Sequence, residues 1–294
     1  MKAVASVFGP IRKVACSLMV TGIVLAAPVL PVQPASAGDY NFQAKYRVSL
    51  AGVPIGEANF MGNFDGRRYR LDGYGKLTGI AGVLYEYTAS ASSAGELYSG
   101  RIVPNAFSVN ASDGEETSTV RMTMGSSGVR RLKITPEPTP YWLNHPNRVK
   151  VTDAHTRGTL DPISALIVAG GSSGAEMDKH ACERTVPIFN GRERFDVELR
   201  YRRIQPVSDS AVPGGQVLVC GAHYRPVAGH RTDRDEVKMA EKLDIEVLLS
   251  PVSGSDLLLP YRVTIPTPLG SAVIQSAGVT ATGALNVKAA ALAE

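Results

Sequence analysis

Asp153, His155, Asp161 and Ser164 stand in one short stretch and are the residue types of a nucleophilic triad. In such a triad a histidine takes the proton of a serine while a carboxylate orients the imidazole. The local pattern gives two of them another role. Asp161 precedes Pro162, and Asp-Pro is a helix start, with the carboxylate capping free N–H groups and proline at the first helical position. Ser164 then falls inside the helix. Asp161 and Pro162 are read as a structural helix cap, and no catalytic residue is assigned.

Metal and cofactor chemistry find as little support. His145, His155, His180, His223 and His230 are scattered, and the nearest pair, His223 and His230, is seven residues apart in what reads as a loop, whereas zinc ligands are closely spaced. The zinc-protease H-E-x-x-H, the phosphate-cradling G-x-x-x-x-G-K-[ST] and the dinucleotide G-x-G-x-x-G are absent from the sequence, and no G-x-S-x-G nucleophile elbow is expected. No metal and no cofactor are therefore expected. Arg192, Arg194, Arg200, Arg202 and Arg203 are interleaved with Glu193, Asp196 and Glu198, the pattern of a solvated strand face. Residues 231–242, rich in both signs, read as a short exposed helix or an extended hairpin loop.

Residues 1–37 have the form of a secretory signal. Lys2, Arg12 and Lys13 form a basic start, Val14 to Leu30 an apolar run, and Ala35-Ser36-Ala37 a small-residue cleavage site. The competing reading is a transmembrane anchor, but the run is at the lower limit for a span and is followed by prolines. Cleavage after Ala37 leaves residues 38–294 as a single β-rich domain without a transmembrane span. It removes three basic and no acidic side chains, so the formal charge falls from +4 to +1. A nearly neutral chain without a lysine-rich run offers nucleic acid no electrostatic footprint. Cys16 leaves with the signal and no cysteine begins the mature chain, so no lipid anchor is expected. Cys182 and Cys220 remain, an even pair in an oxidising compartment, read as one disulfide worth about 4 kcal/mol.

The elements that would position all of these are strands. Tyr46, Val48 and Leu50 alternate with Arg47 and Ser49; Val120, Met122 and Met124 with Arg121 and Thr123; Phe195, Val197, Leu199 and Tyr201 with Asp196, Glu198 and Arg200; Leu243, Ile245, Val247 and Leu249 with Asp244 and Glu246. Period two marks antiparallel strands with one buried face. Asp65-Gly66 and Asn190-Gly191, and with them Asp113-Gly114, suit type I′ hairpins. The helix from Leu160 turns Ile163, Leu166 and Ile167 to one side and ends at Gly170-Gly171, as a plug on a curved sheet. Residues 136–161, with Pro136, Pro138, Pro140, Pro146, Tyr141 and Trp142, form a crossover between two strand sets. Residues 171–180 read as a mobile loop and the chain from Asn286 as a fraying tail. Tyr46-Arg47-Val48-Ser49 is echoed by Tyr261-Arg262-Val263-Thr264.

The fold class is mainly β, a long curved antiparallel sheet (half-barrel or β-spiral) with one short central helix. Such a sheet is either filled by side chains or leaves a cavity for an apolar ligand.

Tyr46 through Gly56-Glu57-Ala58, Leu160-Asp161-Pro162-Ile163-Ser164-Ala165-Leu166, Phe189-Asn190-Gly191-Arg192, Cys220 and Leu259-Pro260-Tyr261-Arg262-Val263 together resemble the exported bacterial family known as domain of unknown function 3108. The resemblance implies an envelope protein similar in outline to periplasmic lipoprotein carriers, which hold acyl chains in a half-barrel. It brings no catalytic residues. The expectation is a non-enzymatic periplasmic protein binding an apolar or lipid-like ligand, or an envelope protein partner, in the concavity of its sheet. A hydrolase or transferase acting on envelope polymers, with Asp153, Glu176 and histidines converging, is the alternative. A purely structural role in an envelope complex, with a flat apolar patch, is the third. The oligomeric state is not legible.

Overall fold

The computed structural model describes residues 39–98, 100–169, 172–173 and 176–287. The expected signal segment, with Cys16, lies outside them. Strands β1 (Tyr40–Leu50), β2 (Val53–Asp65), β3 (Arg68–Leu77), β4 (Thr88–Tyr98), β5 (Arg101–Ser112), β6 (Thr117–Thr123) and β7 (Arg131–Thr135) follow one another as antiparallel neighbours. Two short strands, β8 (Ser172–Ser173) and β9 (Glu176–Met177), pair only with each other. A second meander comprises β10 (Arg184–Phe189), β11 (Arg194–Pro206), β12 (Gln216–Ala228), β13 (Ile245–Pro251), β14 (Leu258–Thr267) and β15 (Gly270–Thr282).

The last strand, β15, pairs with the first, β1, so both meanders fuse into one thirteen-stranded antiparallel sheet whose free edges are β7 and β10. Residues 136–183 cross from one edge to the other, which is the crossover that the prolines announce. Among the described residues the edges share no ladder. They meet through side chains: Phe189 of β10 packs with Phe107, Val120 and Met122 of β5 and β6, and a Cβ at Gly191 would run into Val120. The sheet is thus curled but not closed, in agreement with the expected half-barrel. The echoed segments flank β15 residue for residue, with Arg47 and Arg262 opposite Gln275 and Val48 and Val263 opposite Ile274.

One end of the concavity is filled. Tyr40, Phe42, Phe60, Phe64 and Tyr69 project inward from β1, β2 and β3, and Phe42 meets Phe60 edge-on with centroids 5.4 Å apart. Gly62 is required there, because a Cβ would collide with the Phe42 ring. Each such ring contributes about 1.5–3 kcal/mol on burial. The disulfide Cys182–Cys220 lies in a second cluster with Val168, Met177, Leu218 and Leu258.

Several local expectations need correction. Leu160-Asp161-Pro162 does not open a helix that runs to Gly170-Gly171. It opens a single 3-10 turn, Ser164–Leu166, because Val168 already pairs with Leu258 and draws the chain extended; Gly170 and Gly171 lie outside the described residues. In the β2–β3 hairpin only Gly66 of the central pair takes positive φ, and Asn190 and Asp113 begin four-residue connections. A two-residue turn with both φ values positive is found instead at Ala51-Gly52, at +50° and +82°. Residues 172–182 carry the β8–β9 pair and a 3-10 turn, Lys179–Cys182, where a mobile loop is expected. The tail holds at its start: Val287 is buried and its N–H donates to Asp256. Residues 231–242 contain α4 (Asp235–Ala240), the first of the two readings offered. Three further helices are short: α1 (Gly79–Leu84), α2 (Pro140–Leu143) and α3 (Asp153–Thr156). Among the described residues no helix is long and apolar enough to cross a membrane.

Candidate functional site

Asp161 and Ser164, both fully buried, are brought together, but as a fastening. Asp161 Oδ1 accepts the N–H groups of Ile163 and Ser164 at 2.9 Å, and Oδ2 accepts the hydroxyls of Ser93 and Ser164 at 2.7 Å. Tyr69 Oη lies 2.9 Å from Ser164 Oγ. Side chains of β3 and β4 therefore clamp the Pro162–Leu166 turn onto the concave face. Burial is the largest influence on Asp161 and raises its carboxyl above the ordinary range, while the four hydrogen bonds act the other way.

The other triad types are elsewhere. Asp153 and His155 sit on α3, where the Thr152 N–H donates to His155 Nδ1, and Glu176 belongs to β9. Among the described residues no three His, Cys, Asp or Glu side chains are placed to hold a metal. The spelling Gly170-Gly171-Ser172-Ser173-Gly174 does match G-x-S-x-G, contrary to expectation. An elbow requires a strand-to-helix turn, whereas Ser172 and Ser173 pair with β9.

The Asp161 fastening holds Ile163 and Leu166 over a gap in the sheet's filling. Its floor is small: Ala58, Gly75 and Ala89 are register partners across β2, β3 and β4, and Gly73 faces Ala91. Tyr46, Phe60, Val263 and Ile274 form the walls, and Ile163 and Leu166 the cover. The result is an apolar trough of about 280 Å³, open on one side. Ile163 Cδ1 would be 3.1 Å from a Cβ at Gly73, so side chains on this floor would fill the space. Ala and Gly at alternate positions of β3 and β4 are a period-two signal that the sequence reading passed over.

The Tyr46 ring forms part of the wall, and its hydroxyl is sealed away from solvent. Tyr46 is 8% exposed, and its buried hydroxyl has no hydrogen-bond partner. Burial alone pushes its phenol group well above the ordinary range. Buried hydroxyls are nearly always paired, so among the described residues this one is held at a cost in stability.

Beyond the trough lies an apolar rim. The Ala51 N–H donates to Ser271 O and the Thr78 N–H to Ile55 O, gathering the β1–β2 turn, the β14–β15 turn and α1 at one end of the sheet. Val53, Val83, Leu84, Tyr85 and Leu269 are all exposed there.

A family model described as "Protein of unknown function (DUF3108)" matches residues 45–275. No curated protein matches the chain. Among solved structures, the crystal structure of a beta-barrel-like protein of domain of unknown function DUF1849 from Brucella abortus is similar over 82% of this chain and 98% of that one. The two are 10% identical and superpose with a TM-score of 0.49.

Proposed function

This chain belongs to the DUF3108 family of proteins of unknown function, and from that premise we propose that it is an exported, non-enzymatic envelope protein whose sheet holds an apolar, lipid-like chain in the trough beneath Ile163 and Leu166. The observation that carries the reading is the small-residue floor under a pinned cover, walled by Tyr46, Phe60, Val263 and Ile274. A volume of about 280 Å³ sits at the lower edge of the roughly 300–1,000 Å³ of small-molecule sites, the size for part of one acyl chain and not for a two-tailed lipid. The signal at residues 1–37, cleaved after Ala37, and the disulfide support a periplasmic location, and the rim of Val83, Leu84 and Tyr85 supports delivery to a membrane or an envelope protein.

A hydrolase or transferase acting on envelope polymers is less well supported, since Asp161 and Ser164 are sealed from solvent and bonded to Ser93 and Tyr69. The test is purification of the mature protein from the periplasm, its native mass, and mass spectrometry of an organic extract. A stoichiometric acyl-chain compound that disappears in the Ala89→Leu/Ala91→Leu double variant is the expected result. A bare polypeptide that also fails to take up a fluorescent fatty acid would overturn the reading.

A further inference from the structure

A second cleft, unrelated to the trough, lies where the crossover meets the end of β12. Thr139 Oγ1 accepts the Trp142 N–H and starts α2, which presents Tyr141 and Trp142. The next turn of chain is fixed by backbone bonds: Gly229 N–H donates to Val149 O at 2.7 Å, Val149 N–H to His230 O at 3.0 Å and Thr232 N–H to Asn147 O at 2.9 Å. This short ladder sets Arg148 opposite Arg231. The Arg148 guanidinium lies 3.5 Å over the Trp142 ring, and that of Arg192, from the β10–β11 turn, is 5.8 Å from the same ring. Arg231, Arg234, Glu193 and Tyr141 complete a cleft of about 300 Å³.

Its positive charge is not balanced. Asp233 takes both arms of Arg231, and Glu193 is the carboxylate in the lining. Against these two stand the guanidiniums of Arg148, Arg231 and Arg234 in the lining and that of Arg192 beside it. Arg234 is exposed and has no ion pair, Arg192 reaches only the Ser118 hydroxyl, and Arg148 donates to Gly229 O while its buried Nε has no partner. Guanidiniums that outnumber their counter-charges repel one another, and planar forks of this kind match phosphate oxygens. Desolvation above all holds Arg148 below its ordinary pKa, with Glu193 acting the other way and the Arg231 and Arg192 charges adding to the lowering.

The geometry points to a phosphate-binding site in this cleft, with Arg148 and Arg234 as donors, Arg192 adding positive charge at its edge, and the exposed Tyr141 ring placed to stack on a sugar carrying the phosphate. The free ion and a phosphorylated saccharide share this chemistry, and the experiment separates them.

Trp142 is the single tryptophan of the chain, so its emission reports on the cleft alone. The oxidised mature protein is titrated with inorganic phosphate, with glucose 6-phosphate and with glucose, at two salt concentrations and in parallel by calorimetry. Saturable, salt-sensitive binding of phosphate or glucose 6-phosphate without a response to glucose is expected. Arg234→Ala should weaken it about tenfold with an unchanged melting temperature, because that side chain supports nothing else. Tighter binding of the sugar phosphate, lost in Tyr141→Ala, would identify a phosphorylated saccharide; equal affinities would identify the free ion. No saturable signal by either method, or binding indifferent to Arg234, would overturn the proposal and leave the Arg148–Trp142 pair as packing.

Discussion

Ser93 Oγ donates to Asp161 Oδ2 at 2.7 Å across 68 residues of sequence, and this contact joins the middle of the sheet to the segment that covers its trough. Ser93→Ala leaves a buried carboxylate short of one donor and is expected to cost about 1–3 kcal/mol, read from the urea midpoint. A loss below a few tenths would mean that Ser164 and Tyr69 alone hold the cover.

The same carboxyl supplies a pH dependence. Burial raises its pKa in the folded protein above the 3.8 of an ordinary aspartate. As pH rises past that value the unfolded chain releases its proton first, so the native state loses stability through the interval up to the folded value. The stability advantage of the wild type over Asp161→Asn should therefore shrink as pH rises above 3.8, measured by urea unfolding at each pH. An advantage that grows with pH would show that the four hydrogen bonds outweigh desolvation.

Tyr46→Phe removes the unpartnered hydroxyl and keeps the ring. The ligand-free protein should become more stable by about 1 kcal/mol or more, since a buried hydroxyl without a partner costs that much. Acyl-chain affinity should change by less than about twofold in the same variant, because the hydroxyl is sealed away from the trough and the ring that walls it is kept. Thermal melts and displacement of a fluorescent fatty acid measure the two effects separately. Falling stability would place a hidden partner on the hydroxyl.

Ala51 occupies left-handed backbone at φ +50°, beside Gly52 at +82°. Alanine is strained there, whereas asparagine tolerates the conformation and favours the first position of a type I′ turn. Ala51→Asn is expected to raise stability by about 0.5–1 kcal/mol, visible as a higher urea midpoint at constant slope.

The strands β1 and β6 were legible because each buries one face, and period two records that directly. The same pattern marks β11 and β13 as strands but not their burial: Asp196, on the face read as solvated, is the buried residue of β11, and β13 buries Leu248 to Pro251 consecutively. The fastening start at Leu160-Asp161-Pro162 was legible too, although Asp161 caps a 3-10 turn. The hairpin at Ala51-Gly52 was hidden because alanine carries no positive-φ signal, and tertiary pairing imposes it. The trough was hidden for a different reason. Gly73, Gly75, Ala89 and Ala91 are poor strand formers taken singly, and they become a floor only when the β2–β3–β4 register stacks them. Tyr46 reads as one more core aromatic, since sequence cannot show that its hydroxyl lacks a partner. Neither could composition reveal the pairing of β15 with β1, which sets Arg47 and Arg262 on either side of Gln275.

Cys182, at the end of its 3-10 turn, is bonded to Cys220 in β12, and both are fully buried. The bond ties the end of the crossover to the second meander, while the Asp161 network independently ties its middle to the first. Closing a loop with a separation of 38 residues restricts the unfolded chain by about 4 kcal/mol. Cys182→Ala/Cys220→Ala should lose about that much stability, with far-UV circular dichroism unchanged at low temperature because the ladders do not depend on the bond. Acyl-chain retention should survive below the new melting temperature, since Ile163 and Leu166 are held by Asp161 and not by the cysteines. Retention lost while the sheet persists would instead make the disulfide the fastening of the cover, and the Ser93 and Asp161 variants would then leave ligand binding intact.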